Sequence, residues 1–339
     1  MADGSARRAY IGSYTTAGGR GILTAAVDPD SGALTVLDAL RGLPDPSYLA
    51  LCGDMLYAVS ETSDGAVAAY RLDGERIEPA GPPVRVGSGP THLSVHAGHV
   101  LTADYGSGSV TAVPLAAGGI LAEGASGVLR HRGSGPVPQR QQGPHAHQVQ
   151  PDPSGRWVLS VDLGTDSVRV CALQDGTVRP HREIPLPAGS GPRHLAFHPD
   201  GDRAYVLNEL TPTVTVCRWD AVAGVLEPVT ETCVLPDRPV GEAYPSGIVV
   251  SLDGRFVWTA IRGQDLLSVL AVEGEGLRPV AAVPCEGVWP RALALSEGFL
   301  YVANERSGDV TWFAPDRETG LPRRGGSVEA PAASCVVFR

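Results

Sequence analysis

Short stretches of alternating apolar and polar residues recur along the whole chain, with tight turns between them. Examples are WVLSVD (157–162), AYVLNE (204–209) and FVWTAI (256–261), each preceded by a turn rich in Asp, Gly or Ser. Alternation with a period of two, rich in Val, Leu and aromatic residues, is typical of β-strands, and Asp-Gly turns are typical of hairpins. No stretch sustains a helical period. The pattern therefore predicts an all-β protein.

A proline-led unit introduces these groups of strands and occurs seven times. The leading residues are Pro46, Pro90, Pro144, Pro192, Pro245, Pro290 and Pro331. Successive copies are 41 to 54 residues apart, which is the length of a four-stranded propeller blade. We therefore predict a seven-bladed β-propeller with four-stranded blades, forming a single domain over residues 1–339.

The two ends of the chain complement each other. The copy at Pro331 supplies one strand before the chain reaches Arg339, whereas AYIGSY (9–14) resembles a second strand that lacks a first one. We predict that the N- and C-terminal strands share one blade and close the ring, since propellers protect their sheet edges in this way.

Charge and composition argue against several classes of binding partner. The net charge is −10 and the pI about 5.4, which opposes general attraction to a phosphate backbone, so we expect no nucleic-acid partner. No apolar run approaches the roughly 20 residues of a membrane-spanning helix, so we expect no membrane partner. The start, MADGSARRAY, has no apolar segment after its arginines, and we expect a cytoplasmic protein. The oligomeric state is not determined by the sequence.

The cysteines are scattered through strand-like segments. They are Cys52, Cys171, Cys217, Cys233, Cys285 and Cys335. No CxxC pair occurs, which is unfavourable for a zinc site or a disulfide scaffold, and we expect most of them to be small buried apolar residues.

Candidate chemistry concentrates in the copies that begin at Pro144, Pro192 and Pro245. In a propeller the turns flanking the innermost strands meet at one mouth of the channel, so equivalent repeat positions converge. The positions just after the leading proline and at the end of the second strand carry His145, His147, Arg193, His194, Asn208, Glu209 and Arg262. We predict that these side chains meet at one mouth.

Structural alternatives apply to several of these residues. His92, His194 and Arg291 could instead hydrogen-bond neighbouring blades, and His198 precedes a PDG turn. Glu209 could pair with a nearby arginine, since a buried carboxylate costs least when it is paired. His145, His147 and Glu209 could be metal ligands, but no further Asp/Glu cluster has ligand spacing, so we assign no metal.

Longer motifs carry a family resemblance. The stretches PHAHQVQPDPSGRWVLSVDLGTDSV (144–168) and GPRHLAFHPDGDRAYVLNEL (191–210), with DGRFVWTAIRG (253–263), resemble the lactonase family of seven-bladed propellers, the 6-phosphogluconolactonase or carboxymuconate cycloisomerase type. The likeness covers nearly the whole chain. It implies His145, Arg193, Glu209 and Arg262 as active-site residues. The chain departs from the family pattern at Ile261 and at SGIVV (246–250).

The resemblance implies opening of a sugar lactone, which requires a base, an acid and stabilisation of the oxyanion. We assign Glu209 and His145 as the acid/base pair, without deciding which is the base, and Arg193 and Arg262 to the carbonyl oxygen or an anionic group. Further substrate-binding candidates are His147, His194, Asn208, Asp162, His92 and Arg291. No cofactor is expected, and the expected partner is an anionic small-molecule lactone.

Two other functions stay open. One is a lactonizing cycloisomerase acting on a muconate-like diacid, which runs a similar ring closure in reverse. The other is a non-catalytic propeller that acts as a binding module, since a fold by itself does not establish a function.

Overall fold

The computed structural model describes residues 7–74, 76–237 and 239–339, and these residues form 29 β-strands in seven antiparallel sheets. Residues 1–6, which belong to the segment considered for a secretion signal, lie outside the described residues. Within the described part of the chain the only helical segments are short 3-10 turns at Thr15–Ala17, Ala117–Gly119 and Leu163–Thr165. The prediction of an all-β fold is confirmed.

The strands follow one another around the ring in chain order. The chain starts with β1 (Arg8–Ser13), β2 (Ile22–Val27) and β3 (Leu34–Leu40). The second blade contains β4 (Leu49–Cys52), β5 (Met55–Ser60), β6 (Ala66–Asp73), β7 (Arg76–Pro79) and β8 (Val84–Arg85). The third contains β9 (Pro90–His96), β10 (His99–Asp104), β11 (Ser109–Pro114) and β12 (Gly127–Arg130). The fourth contains β13 (Ala146–Pro151), β14 (Val158–Asp162), β15 (Ser167–Gln174) and β16 (Thr177–Pro185).

The remaining blades repeat the same order. The fifth contains β17 (Pro192–Phe197), β18 (Arg203–Asn208), β19 (Thr213–Asp220) and β20 (Val225–Cys233). The sixth contains β21 (Tyr244–Val250), β22 (Phe256–Arg262), β23 (Leu266–Glu273) and β24 (Gly276–Pro284). The seventh contains β25 (Pro290–Ser296), β26 (Phe299–Asn304), β27 (Asp309–Pro315) and β28 (Pro322–Glu329), and the last strand is β29 (Ala333–Phe338).

The chain ends meet in the first blade. Strand β29 pairs with β1, with Ala9 opposite Phe338 and Ile11 opposite Val336, and the sheet order is β29-β1-β2-β3. The predicted closure of the ring by the terminal strands is confirmed.

The second blade departs slightly from four strands. Its outer strand is split, because β7 pairs with the C-terminal half of β6 and β8 pairs with Ala66 and Val67. The sequence GPP (81–83) separates the two pieces, since proline supplies no N–H to a strand ladder.

Apolar side chains pack between the blades. The described residues form seven clusters of buried apolar side chains, one at each interface between neighbouring blades. For example, Leu159 and Val161 of the fourth blade pack with Leu195 and Trp219 of the fifth. Period-2 alternation gives each blade two apolar faces, so the core is a ring of interfaces around the axis.

The six cysteines are free thiols. Four are buried, as expected for small apolar residues, whereas Cys52 and Cys233 are exposed. None of the described helices is both long enough and apolar enough to cross a bilayer.

The two ends of the channel differ. A cavity of about 760 Å³ opens at the end where hairpins join the first and second strands of the blades, and residues such as Gln150, Phe197 and Val250 line it. The aromatic and imidazole rings of Tyr48, His92 and His194 lie at its inner end. At the opposite mouth the innermost strands begin and the second strands end, and most of the candidate chemistry lies there.

Candidate active site

The strand register fixes which residues occupy equivalent positions at this mouth. Pro192 pairs with Asn208 at the end of the second strand, and Ala146 pairs with Asp162 in the same way. The next residue of the innermost strand is Arg193 after Pro192 in the fifth blade and His147 after Ala146 in the fourth. His145 precedes its strand, so it occupies a loop position rather than the position of Arg193.

Glu209 follows β18 and is the centre of a cationic cluster. Its side chain is only 4% exposed. Its Oε2 accepts a hydrogen bond from Nη2 of Arg262 at 2.7 Å, and its Oε1 accepts one from Nη2 of Arg140. Nε of Arg193 lies 3.1 Å from Oε2 without the alignment of a hydrogen bond. We call Arg140, Arg193, Glu209 and Arg262 the arginine-rich half of the mouth.

The charges in this half act strongly on one another. Burial works to raise the pKa of Glu209, but Arg262, Arg193 and Arg140 overcome it and lower the value to about 2. Burial, with repulsion from Arg262, lowers the pKa of Arg193 to about 9. Glu209 is therefore ionised at neutral pH, and Arg193 is a buried cation that a second anion would stabilise.

Arg140 was not among the predicted site residues. It lies in the connection between β12 and β13, and Gln141 beside it anchors this loop by donating to Leu163 O and to Oδ1 of Asp166 at 2.8 and 2.7 Å. The connection, residues 131–145, is long for a compact fold, and such loops are often functional. The length of this connection was the feature of the sequence that could have indicated a site residue within it.

His145 is half-buried at the edge of this half. Its ring stacks on Tyr105 with centroids 4.3 Å apart, and its Nδ1 lies 2.9 Å from the carbonyl oxygen of Tyr105. Burial disfavours the charge of Arg140, but Glu209 and, to a smaller extent, Tyr105 raise its pKa. Tyr105 and Arg140 therefore lie between His145 and Glu209.

Asp162 faces the interior of the fourth blade. Its Oδ1 accepts from the backbone N–H groups of His145, Gly164 and Thr165 at 2.8–3.1 Å. Its Oδ2 lies 2.6 Å from Nδ1 of His131, which is fully buried. Both oxygens are thus engaged within the protein, and through the His145 backbone this carboxylate fixes the position of the histidine.

Asn208 occupies the equivalent position in the fifth blade. It is fully buried, and its amide donates to the hydroxyl oxygens of Thr213 and Thr215 at 2.9 and 3.0 Å. The structure therefore places Asn208 and Asp162 beneath the mouth, away from the groups that surround Glu209.

Three buried histidines form a layer between the mouth and the cavity. The ring centroid of His194 lies 5.7 Å from that of His92 and 5.1 Å from that of His147. Burial, assisted by the charge of Arg193, lowers the pKa of all three, to about 3 for His92. These imidazoles are neutral, so they can hydrogen-bond but do not add charge to the site.

Arg291 belongs to a second cluster on the same mouth. Its guanidinium lies 4.8 Å from the ring centroid of Tyr14, and its nitrogens approach Glu61 at 3.6 Å and Glu305 at 3.5 Å. The Tyr14 hydroxyl donates to Glu61 at 2.7 Å. Burial disfavours the charge of Arg291, but Tyr14, Glu61 and Glu305 raise its pKa. We call Tyr14, Glu61, Arg291 and Glu305 the carboxylate-rich half of the mouth.

The sequence contained a signal for this second cluster. Glu61 and Glu305 follow the second strands of their blades, as Glu209 does in the fifth blade. Comparing that position across all seven copies would have identified both carboxylates.

One departure from the family pattern lies in an apolar interface, and the other contacts a site arginine through its backbone. Ile261 is buried among apolar side chains between the fifth and sixth blades. A Cβ at Gly247 would lie 2.7 Å from the backbone nitrogen of Leu293, so this position allows close packing of the seventh blade. Ser246 directly precedes Gly247, and its carbonyl oxygen accepts a hydrogen bond from Nη1 of Arg193.

A family model described as "Lactonase, 7-bladed beta-propeller" matches residues 8–338. The chain belongs to the Lactonase family. The resemblance seen in the sequence motifs is confirmed, and the match spans every strand of the ring.

Three similar proteins match nearly the whole chain. A 6-phosphogluconolactonase of Bacillus subtilis (strain 168) is 35% identical over 341 residues, which cover 97% of both chains. A Pseudomonas aeruginosa periplasmic gluconolactonase superposes with a TM-score of 0.90 at 30% identity, over 98% of each chain. A crystal structure of a Lactobacillus plantarum protein superposes with a TM-score of 0.93 at 30% identity, over 98% of this chain and 99% of that one.

Proposed function

We propose that this Lactonase family protein hydrolyses a sugar lactone, and that the substrate is 6-phosphogluconolactone, which it opens to 6-phosphogluconate. The observation that carries the proposal is the arginine-rich half, where Arg140, Arg193 and Arg262 surround one carboxylate and the half-buried His145 lies at the edge, stacked on Tyr105. Such a site suits an anionic substrate whose negative charge increases during the reaction. The 6-phosphogluconolactonase of Bacillus subtilis, a full-length relative, supports the choice of substrate.

His145 is the group we assign to proton transfer. A carbonyl oxygen only accepts hydrogen bonds, so at the contact with Tyr105 O the hydrogen lies on Nδ1, and the tautomer that makes this contact has its lone pair on Nε2. In the proposed reaction Nε2 takes a proton from water while the water oxygen bonds to the lactone carbonyl carbon.

The arginines stabilise the charge that this attack creates. The carbonyl electron pair moves onto oxygen, and Arg193 and Arg262 are the cations we assign to that oxyanion. When the carbonyl re-forms, the ring C–O bond breaks and the leaving alkoxide takes the proton from Nε2 of His145. The resulting carboxylic acid loses its own proton to solvent, so the histidine returns to its starting state.

Glu209 has a different role in this proposal. A carboxylate whose pKa is about 2 is a weak base at neutral pH. Its contacts with three guanidinium groups make it the anchor that holds Arg140, Arg193 and Arg262 in position. The sequence leaves open which of His145 and Glu209 is the base, and we therefore assign that role to His145.

The test is catalysis by the purified protein. We expect it to open freshly prepared 6-phosphogluconolactone well above the spontaneous rate, followed by ³¹P NMR. Parallel reactions contain unphosphorylated gluconolactone and a carboxymuconate. Lactone formation from the muconate without hydrolysis of either sugar lactone would contradict the proposal and favour a cycloisomerase. Absence of all three reactions would favour a binding propeller.

A further inference from the structure

A tryptophan at the rim of the mouth contacts two guanidinium groups. The guanidinium carbon of Arg306 lies 3.3 Å from the centroid of the Trp289 ring, and that of Arg262 lies 5.6 Å from it. Contacts of this kind between arginine and tryptophan are attractive and orient the planar guanidinium group. Arg306 is thereby held next to an arginine of the arginine-rich half.

The backbone at Trp289 is unusual. Its φ angle is +65°, in the left-handed region that bulky residues avoid. The Trp289 N–H donates to Oδ1 of Asp265 at 2.8 Å, and its carbonyl accepts from the N–H of Glu305 at 3.1 Å. Surrounding contacts therefore hold the strained residue in place, and such strain is most common at functional sites.

Arg306 and Arg262 differ in what neutralises them. Arg262 is buried and bonded to Glu209, whereas Arg306 is exposed. Within residues 7–74, 76–237 and 239–339, Arg306 forms no ion pair with an acidic side chain. Among the described residues no carboxylate neutralises this oriented cation, which lies at the rim of a protein whose net charge is −10.

We propose that Arg306, held on Trp289 beside Arg262, binds the phosphate group of the substrate and thereby selects phosphorylated over unphosphorylated sugar lactones. This inference rests on the proposed lactonase function and names the substrate class of the same site. A phosphate monoester dianion accepts two or more hydrogen bonds from a guanidinium fork. Binding it at the rim leaves the lactone ring to extend toward Arg193 and His145.

The test compares Arg306→Gln with Arg156→Gln. Arg156 is the matched control because it is exposed, lies 5.8 Å from the centroid of Trp157 and forms no ion pair with any described acidic residue. It belongs to the hairpin between β13 and β14, at the opposite end of the channel. Both variants remove one exposed arginine that contacts a tryptophan. A difference between their kinetic constants therefore shows the effect of the end of the channel at which the arginine lies.

We expect Arg306→Gln to raise KM for 6-phosphogluconolactone about tenfold with little change in kcat, as loss of one charged contact to the phosphate predicts. KM for unphosphorylated gluconolactone should not change, and Arg156→Gln should match the wild type with both substrates. An unchanged KM for the phosphorylated lactone, or an equal rise for both lactones, would overturn the proposal.

Calorimetric binding of 6-phosphogluconate separates this inference from the proposed function, since it requires no turnover. We expect Arg306→Gln to weaken binding about tenfold relative to the wild type and to Arg156→Gln. If the wild type opens neither lactone, the proposed function fails, while a selective loss of binding in Arg306→Gln still supports the phosphate site. If the wild type is active and Arg306→Gln binds normally, only the phosphate site fails.

Discussion

The arginine-rich and carboxylate-rich halves of the mouth use equivalent repeat positions to opposite effect. In the first, three guanidinium groups surround the carboxylate of Glu209. In the second, the two carboxylates of Glu61 and Glu305 flank the guanidinium of Arg291. The backbone repeat determines where the side chains meet, and the choice of residue determines the sign of the local field. The mouth therefore has a cationic side for an anionic group and an acidic side able to accept hydrogen bonds from hydroxyl groups.

Burial also distinguishes the two halves. The side chain of Glu209 is 4% exposed, whereas those of Glu61 and Glu305 are 18% and 21% exposed. Water reaches the carboxylate-rich half more easily, so its charges are better screened. Leaving one of them unpaired therefore costs less free energy than in the arginine-rich half.

The largest expected effect concerns catalysis beside the arginine-rich half. We expect His145→Ala to lower kcat for 6-phosphogluconolactone by about 10²–10⁴-fold, the usual contribution of a general base. The measurement is the initial rate of ring opening, with circular dichroism to confirm folding.

His99→Ala is the matched control for this variant. His99 is also half-buried, and its Nδ1 lies 2.9 Å from the carbonyl oxygen of Ala97, but it starts β10 at the opposite end of the channel. Its activity should equal that of the wild type. Wild-type activity in His145→Ala would remove this histidine from the mechanism.

The next effect concerns stability. Glu209→Gln leaves Arg140, Arg193 and Arg262 without their shared anion, and we expect a loss of about 3–5 kcal/mol in the free energy of unfolding. Arg291→Gln should cost less, about 1–2 kcal/mol, because solvent reaches its partners. Urea denaturation of both variants measures the difference. Equal losses would mean that the two halves do not differ in the way their burial implies.

The pH dependence of the Glu209 variant provides an independent check. Folding lowers the pKa of Glu209 from 4.5 to about 2, so the stabilisation from its ionised form is fully present above pH 4.5 and is lost as the pH falls toward 2. The stability gap between the wild type and Glu209→Gln should be constant near neutral pH and shrink by about 3 kcal/mol at low pH. A gap that widens on acidification would contradict this account.

The smallest effect is expected in the carboxylate-rich half. Tyr14→Phe removes one hydrogen bond to Glu61 but keeps the ring that lies beside Arg291. We expect a loss of about 0.5–1.5 kcal/mol in the free energy of unfolding. A loss as large as that of Glu209→Gln would show that this half is as tightly coupled as the other.

The ring was predictable because it is encoded locally. Each copy repeats the same turn and strand pattern, and the incomplete copies at the two termini predicted the shared blade that β29 and β1 form. Candidate positions such as Arg193, Glu209 and Arg262 followed from the same repeat, because equivalent positions in different blades face one mouth.

The pairing of the side chains was not predictable in the same way. Arg140 comes from an irregular loop outside the repeat, and its contact with Glu209 joins residues 69 positions apart. The distinction between His145 and His147 depends on a register shift at the start of β13. Asp162 carries the same charge in the sequence as Glu209, but the structure directs it into its own blade. These differences arise from three-dimensional distances that a local pattern does not contain.

A crystal structure with bound 6-phosphogluconate tests the central claim most directly. We predict that the sugar acid lies across the arginine-rich half, with its phosphate on Arg306 and its carboxylate near Arg193, Arg262 and His145. A ligand bound only in the cavity at the opposite end of the channel, or with its phosphate against Glu61 and Glu305, would contradict the account.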